Sequence, residues 1–184
     1  MINYVSTRGM EGSFSAAEAI VKGIADDKGL FVPTKIPALS VSFDELAKMT
    51  YQQIAKLVIG SFFSDFTSEE IEYCVDNAYD EKFEVPEIAK ITKAGGANFL
   101  ELYHGKTAAF KDMALSILPY LMTTSMKKLG VDKKVCILTA TSGDTGKAAL
   151  EGFADVENTE IIVFYPKDGV SEVQRRQMVT QEGK

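Results

Sequence analysis

The pattern of apolar residues changes near residue 97, and this change constrains the fold more than any other feature of the sequence. Beyond it, apolar runs with strand character at residues 134–140 and 160–165 alternate with a helical pattern at residues 145–154. Two strands joined by a helix usually pair in parallel, because the helix carries the chain back along the sheet. The second half of the chain therefore predicts an α/β fold with a parallel, helix-flanked sheet.

Two further elements are predicted in this half. Residues 99–104 form a strand pattern, and residues 112–129 form a helix pattern that ends at Gly130 and is kinked or starts late because of Pro119. The alternation of strand and helix still continues at residue 184, which leaves too few strands for a complete doubly wound domain. We therefore expect this chain to contain only the start of the sheet.

The first half is predicted to be a small, mostly helical lobe. A helix at residues 15–24 is followed by a turn and an extended segment at residues 30–33. Capping boxes, in which a Ser or Thr caps a helix and a Glu or Gln three residues later bonds back to it, then open further helices. We divide the chain into a lobe at residues 1–95 and a partial α/β domain at residues 96–184. The boxes pair Ser42 with Glu45, Thr50 with Gln53 and Thr67 with Glu70, and Ser171 with Gln174 opens the last helix of the second half.

Composition excludes several classes of partner. The formal net charge is −6 and the two signs are mixed along the chain, which gives no basic patch for nucleic acid or for an anionic membrane surface. No apolar run reaches membrane-spanning length, and the first residues lack the pattern of a secretory signal. We expect a cytoplasmic protein with neither nucleic acid nor membrane as a partner.

The cysteines and the single histidine do not predict a metal site. Cys74 and Cys136 are far apart in sequence, and neither has a second Cys or a His nearby. We expect both to be buried free thiols. His104 is the only histidine and lacks the companions of a metal site or a nucleophilic triad, so a hydrogen-bonding role at a strand end is favoured.

Two loops should lie beyond the carboxyl ends of strands, where parallel sheets bind ligands. In the loop at residues 141–146, small residues precede a helix whose unpaired N–H groups and dipole favour a carboxylate or phosphate. The pattern fits equally well a tight turn in which Ser142 or Asp144 only caps the helix. We expect this loop to lie beside the loop at residues 104–112.

Lys111 is the candidate nucleophile of the other loop. It lies among small and apolar residues at the start of a helix, surroundings that favour an uncharged, reactive amine. By residue type alone, a solvated surface lysine is the commoner outcome. Lys106 in the same loop could meet an anionic substrate or face solvent.

At these residues the sequence resembles the threonine synthase family. Residues 104–112, His-Gly-Lys-Thr-Ala-Ala-Phe-Lys-Asp, resemble its cofactor-lysine motif, commonly His-Gly-Pro-Thr-x-Ala-Phe-Lys-Asp. Residues 139–146 resemble its substrate-carboxylate loop, and residues 4–9 and 29–33 resemble its N-terminal lobe. Lys106 departs from the common Pro, and Asp144 stands where many related enzymes carry Asn.

The resemblance implies a lyase of fold type II that depends on pyridoxal 5′-phosphate (PLP), similar to the tryptophan synthase β-subunit. Its reaction converts O-phospho-L-homoserine and water into L-threonine and phosphate. Carried over to this chain, Lys111 holds the cofactor and acts as the general base. Asp144 also approaches the 3′ oxygen of the cofactor, and the substrate carboxylate is held by Ser142, Gly143, Asp144 and Thr145.

Three other functions fit parts of the pattern. A threonine or serine dehydratase would share both loops but use a substrate without phosphate. A catalytically silent regulatory or interaction fragment is the second alternative, because the loop that cups the PLP phosphate and the partner of the pyridine nitrogen are expected downstream of this chain. A simple anion-binding module is the weakest alternative, because neither a dinucleotide-binding nor a P-loop motif occurs.

Overall fold

A computed structural model describes residues 1–183 and shows a mixed α/β chain. The strands of the described part are β1 (Tyr4–Ser6), β2 (Phe31–Pro33), β3 (Lys90–Ala94), β4 (Ala97–Glu101), β5 (Val135–Ala140) and β6 (Thr159–Phe164). The helices are α1 (Ala16–Lys22), α2 (Phe43–Leu46), α3 (Tyr51–Phe62), α4 (Ser68–Ala78), α5 (Asp112–Leu115), α6 (Leu118–Lys128), α7 (Asp144–Phe153) and α8 (Glu172–Val179). No helix within residues 1–183 is both long enough and apolar enough to span a membrane.

Contacts within the chain divide it into two compact units. Unit 1 contains Met1–Asn77 and Tyr120–Asp132. Unit 2 contains Ala78–Pro119 and the described residues from Lys133 onward. Each unit therefore combines segments that are distant in sequence. The division into folding domains at residues 1–95 and 96–184 stays a prediction.

Unit 1 is built around a short antiparallel strand pair that the sequence pattern indicated only as one extended segment. Strand β1 pairs with β2, so that Tyr4 lies opposite Pro33. The buried residues Ile2, Tyr4, Ala16 and Ala19 form a core cluster. Four partly buried rings pack against this cluster, namely Phe14, Phe31, Phe63 and Phe66. The rings thereby extend the core beyond its four fully buried residues.

The capping boxes predicted from the sequence are confirmed. In each, the side chain at the cap accepts a hydrogen bond from the backbone of the third helical residue, whose own side chain bonds back to the cap. A further box, Ser15 with Glu18, opens α1 and was not predicted. The carboxylate of Asp65 also accepts from the backbone N–H groups of Ala16 and Ala17. Local sequence therefore determines where most of these helices begin.

In unit 2 the predicted strand at residues 99–104 begins earlier and pairs differently. Strand β4 starts at Ala97 and forms an antiparallel hairpin with β3, a strand that the sequence did not predict. Gly95 and Gly96 connect them with φ angles of 55° and 80°, the left-handed values that a tight two-residue hairpin requires. The expectation that this strand belongs to the parallel sheet is therefore wrong, because the two glycines turn the chain back on itself.

The parallel pair is confirmed in β5 and β6, which are joined by α7 and aligned so that Val135 lies opposite Thr159. Ala148 and Ala149 of α7 are buried. The alternate side chains of the strands are exposed, and Leu138 and Phe164 keep 66% and 60% of their surface accessible within residues 1–183. The two-stranded sheet thus presents an apolar face that no described element covers.

Cys136 corrects the expectation that both cysteines are buried. Cys74 is buried, whereas Cys136 lies on the exposed face of β5, and both thiols are free. Side chains alternate between the two faces of a strand, so the exposure of Cys136 follows from the register of β5 and from the uncovered face. Burial raises the pKa of the Cys74 thiol, and the hydrogen bond with Thr124 opposes this effect only in part.

The long helix predicted at residues 112–129 consists of α5 and α6. Ser116 and Ile117 separate the two helices, and Pro119 lies in the first turn of α6, where its missing N–H leaves no helical hydrogen bond unmade. Helix α6 is followed by Gly130 with a φ of 64°, as expected for a helix-terminating glycine. Pro119 therefore accounts for the late start of α6, one of the two outcomes that the sequence predicted.

Asp27 generates a prediction about acid stability. Its carboxylate accepts hydrogen bonds from the hydroxyl of Ser6 and from the backbone N–H groups of Met10 and Gly29. The Ser6 hydrogen bond lowers the pKa of Asp27; burial opposes this shift, and the Gly29 and Met10 donors reinforce it. A depressed folded-state pKa gives stability that is present above the unfolded value and is lost as the pH falls through the folded value.

We therefore expect the chain to lose stability below about pH 4, and Asp27→Asn to reduce that loss. The measurement is the thermal unfolding midpoint between neutral pH and pH 3. Asp26→Asn is the matched control, because the neighbouring Asp26 is exposed and, within the described residues 1–183, forms an ion pair only with Lys22. An Asp27→Asn variant whose midpoint still falls with acid as in the unmodified chain would contradict the assignment.

Candidate active site

The loop that carries Lys111, here called the lysine loop (residues 104–111), is held by the carboxylate of Asp112. This buried side chain accepts hydrogen bonds from the backbone N–H of Thr107 at 2.9 Å and from its hydroxyl at 2.6 Å. Asp112 is also the first residue of α5. The loop is therefore folded back onto the start of the helix that follows it.

Two backbone features show that the conformation of the lysine loop is tightly constrained. A Cβ atom placed on Gly105 would lie 2.5 Å from a carboxylate oxygen of Asp112, so only glycine fits there. Ala108 has a φ of 55°, which costs energy for a residue with a side chain and persists only where its surroundings hold it. After the loop, the hydroxyl of Tyr79 donates to the carbonyl of Met113 at 2.7 Å.

Lys111 itself is partly buried, and its Nζ lies 4.9 Å from the centre of the Phe110 ring. Among residues 1–183, no carboxylate lies within ion-pair distance of this amine. Contact with an aromatic face stabilises a charged amine less than a carboxylate does. The amine is thus ordered beside a ring and available to a ligand.

The other lysines of the region differ from Lys111 in this respect. Lys106 pairs with Glu151 at 3.3 Å, and Lys147 pairs with the same carboxylate at 3.3 Å. Burial raises the pKa of Glu151, but the hydrogen bond from Lys106 and the charge of Lys147 outweigh burial and hold the pKa below its ordinary value. Lys106, which stands where the resembled motif commonly has Pro, therefore connects the lysine loop to α7 through this ion pair.

His104 forms hydrogen bonds at the start of the loop. It is buried, and its Nε2 lies 2.8 Å from Glu101, whereas Nδ1 lies 3.6 Å from Glu84 and has no hydrogen-bond partner among the described residues. The hydrogen bond from His104 is the main cause that lowers the pKa of Glu101, and Thr92 adds to it. Within residues 1–183, no three His, Cys, Asp or Glu side chains are grouped to hold a metal ion.

The second loop, here called the glycine loop (residues 141–146), connects β5 to α7. Gly143 is buried and occupies the cap position of α7, where no side chain caps the helix. Its own N–H donates to the hydroxyl of Thr141 at 3.1 Å. Because Gly143 occupies the cap position and no capping hydrogen bond from Ser142 or Asp144 is found within residues 1–183, neither residue is the cap that the simpler interpretation of the sequence offered.

Asp144 has a partner that the sequence did not indicate. Its Oδ1 accepts a hydrogen bond of 3.0 Å from the side-chain amide of Gln174, in the first turn of α8. A Cβ on Gly143 would collide with the same amide. The sequence pattern predicted only a capping role for Gln174, because its contact with the glycine loop depends on how β6 returns the chain to α7.

Both loops contact α7, one through Lys106 and the other by direct continuation into the helix. A Cβ on Gly152, near the end of α7, would collide with the carbonyl of Leu115 in α5, so these helices approach closely. The assignments of Lys111, Asp144 and the other site residues stay predictions. The fold nevertheless places both loops on one compact unit.

Comparisons with known proteins bear on this arrangement. A family model described as "Threonine synthase N terminus" matches residues 3–79. A threonine synthase from Schizosaccharomyces pombe is 35% identical over 189 aligned residues, which cover 97% of this chain and 37% of that protein. A PLP-bound threonine synthase from Brucella melitensis superimposes with a TM-score of 0.85 at 33% identity, covering 97% of this chain and 38% of that one. The threonine synthase from yeast gives a TM-score of 0.89 at 28% identity.

Over 97% of its length the chain is similar in sequence and fold to the N-terminal portion of threonine synthases. It spans about two fifths of the length of the relatives that it matches. The threonine synthase family model ends before the two loops, whereas the alignments over 97% of the chain include them. The predicted fold class, the start of a parallel sheet preceded by a mostly helical lobe, is thereby confirmed.

Gly105 gives a direct test of the lysine loop. We expect Gly105→Ala to destabilise the chain by about 1–3 kcal/mol, because the added methyl group meets the buried carboxylate of Asp112. Gly60→Ala in α3 is the matched control, since the nearest atom to its new Cβ lies 4.0 Å away and alanine favours a helix by about 1 kcal/mol. Denaturant unfolding measures both variants. Equal stability of the two would show that Asp112 does not hold the loop as described.

Proposed function

We propose that this chain carries the lysine half of a PLP-dependent threonine synthase, which converts O-phospho-L-homoserine and water into L-threonine and phosphate. The observation that carries the proposal is Lys111, whose amine has no carboxylate partner among residues 1–183 and lies in a loop of fixed shape. The threonine synthases that the chain resembles, one of them PLP-bound, support the same conclusion. A cytoplasmic location and a small-molecule substrate belong to this proposal.

The chemistry of Lys111 fits the cofactor. An amine bonds to an aldehyde through its nitrogen, and an amine that no carboxylate holds is free to reach that aldehyde. Lys106 and Lys147, by contrast, are both held in ion pairs with Glu151. The ring of Phe110 beside Lys111 offers an apolar surface at the point of attachment.

The glycine loop fits the substrate. Helix α7 is ten residues long, and its cap position carries no side-chain cap, so its first N–H groups remain available to an anion. Ser142, Gly143, Asp144 and Thr145 would bind the substrate carboxylate there. Asp144 would in addition approach the 3′ oxygen of the cofactor.

In the proposed reaction, the cofactor and the residues of the chain have separate roles. Bound PLP supplies the electron sink for carbanions formed on the substrate. Lys111 would hold the cofactor covalently and would move protons at the α and β carbons of the substrate. The bond between the γ carbon and the phosphate oxygen would break with release of phosphate, the γ carbon would take up a proton, and water would supply the hydroxyl of the product at the β carbon. The glycine loop keeps the substrate in place during these steps.

Reductive labelling tests Lys111. PLP is added to the purified chain, the adduct is reduced with borohydride, and the modified peptide is located by mass spectrometry. We expect about one equivalent of label on Lys111, lost in Lys111→Ala. Lys106→Ala is the matched control, because that lysine lies in the same loop but is paired with Glu151. Scattered labelling that persists in Lys111→Ala would contradict the role of this lysine.

Product analysis separates the proposal from a dehydratase. In the enzyme that contains this portion, O-phospho-L-homoserine should give phosphate and L-threonine in equal amounts. A dehydratase would instead consume L-threonine or L-serine and release ammonia, with no phosphate. Formation of a keto acid from L-threonine without phosphate release from O-phospho-L-homoserine would overturn the assigned reaction while retaining Lys111 as the cofactor lysine.

A further inference from the structure

Gln174 contacts two elements at once. Its Oε1 accepts from the hydroxyl of Ser171 at 3.1 Å and from the backbone N–H of Ser171 at 3.4 Å. Its Nε2 donates to Asp144 at 3.0 Å. One side chain therefore completes the capping box of α8 and reaches the first residue of α7.

These partners determine which way the amide points. The backbone N–H of Ser171 can only donate, so the atom of Gln174 that faces it must be the oxygen. The nitrogen is thereby directed at the carboxylate of Asp144, which can only accept when ionised. Flipping the amide would lose both interactions, so the capping box orients the donor.

The amide also packs against the backbone of the glycine loop. Gly143 is buried, and a Cβ at this position would collide with the Gln174 amide. Asp144, by contrast, is exposed and has no other hydrogen-bond partner among residues 1–183. An exposed carboxylate on a helix terminus rotates among several rotamers unless a fixed donor selects one.

We infer that Gln174 is a positioning residue, which sets the conformation of Gly143 and the direction of the Asp144 carboxylate for the ligand of the glycine loop. Helix α8 thereby becomes part of the site through a single amide. This inference rests on the proposed function of the glycine loop as the substrate-carboxylate site, whereas the contacts themselves do not depend on it.

Gln174→Glu separates this role from helix capping. Glutamate at the third helical position is as good a capping-box residue as glutamine, so the box with Ser171 is retained. The variant loses the N–H donor and places a second carboxylate beside Asp144. If Gln174 only capped α8, the substitution Gln174→Glu would leave the glycine loop unchanged. Gln53→Glu is the matched control, because Gln53 makes the same box with Thr50 in unit 1.

Amide hydrogen exchange, followed by mass spectrometry on peptides covering residues 141–146, is the first measurement. We expect exchange in Gln174→Glu to be about fivefold faster than in the unmodified chain and unchanged in Gln53→Glu. The double variant Gln174→Glu with Asp144→Asn reverses donor and acceptor and should restore slow exchange. Unchanged exchange in Gln174→Glu, or no recovery in the double variant, would overturn the inference.

A second measurement separates this inference from the proposed function. Borohydride labelling of Lys111 reports on the cofactor lysine and should be the same in the unmodified chain and in Gln174→Glu. The affinity for O-phospho-L-homoserine, followed by the absorption of bound PLP, should weaken about fivefold in Gln174→Glu alone. Absent labelling in the enzyme that contains this portion counts against the proposed function, whereas intact labelling with unchanged substrate affinity counts against the role of Gln174.

Discussion

The buried carboxylate of Asp112, which binds the backbone and the hydroxyl of Thr107, determines the shape of the candidate site. A buried carboxylate is tolerated only when it is well hydrogen-bonded, so the loop between these residues has few alternative conformations. Gly105 is required because the carboxylate of Asp112 occupies the space that a Cβ at position 105 would need. The same arrangement includes Ala108 at a positive φ. Lys111 directly precedes Asp112, so the same contacts determine its position. Its amine is therefore ordered without an ion pair among the described residues.

Helix α7 connects the lysine loop to the glycine loop. Its first turn continues from the glycine loop, its Glu151 binds Lys106 of the lysine loop, and Gly152 allows α5 to approach closely. The lysine that replaces the common proline of the family therefore has a structural partner here. A proline restricts its loop through its own ring, whereas Lys106 restricts the loop through an ion pair with α7.

Local signals in the sequence predicted local structure well. A capping box involves residues three apart, so the helix starts at Ser42, Thr50 and Ser171 could be identified without knowledge of the fold. Pairing between segments could not be predicted in the same way. The hairpin of β3 and β4 depends on two consecutive left-handed glycines, and the exposure of Cys136 depends on what covers one face of β5. Both depend on which other segments lie next to a strand, and the pattern of apolar residues along the chain does not specify this.

The sequence by itself determined the α/β character of the second half, the start of most helices and the motif around Lys111, because these depend on residue type at short spacing. It also placed Ser142, Gly143, Asp144 and Thr145 together, since they are consecutive at a strand-to-helix turn. The tertiary structure alone decided that Asp112 faces Thr107, that Lys106 pairs with Glu151 and that Gln174 meets Asp144. Residues 144 and 174 are separated by a helix and a strand, so only the packing of α8 against α7 brings the amide to the carboxylate.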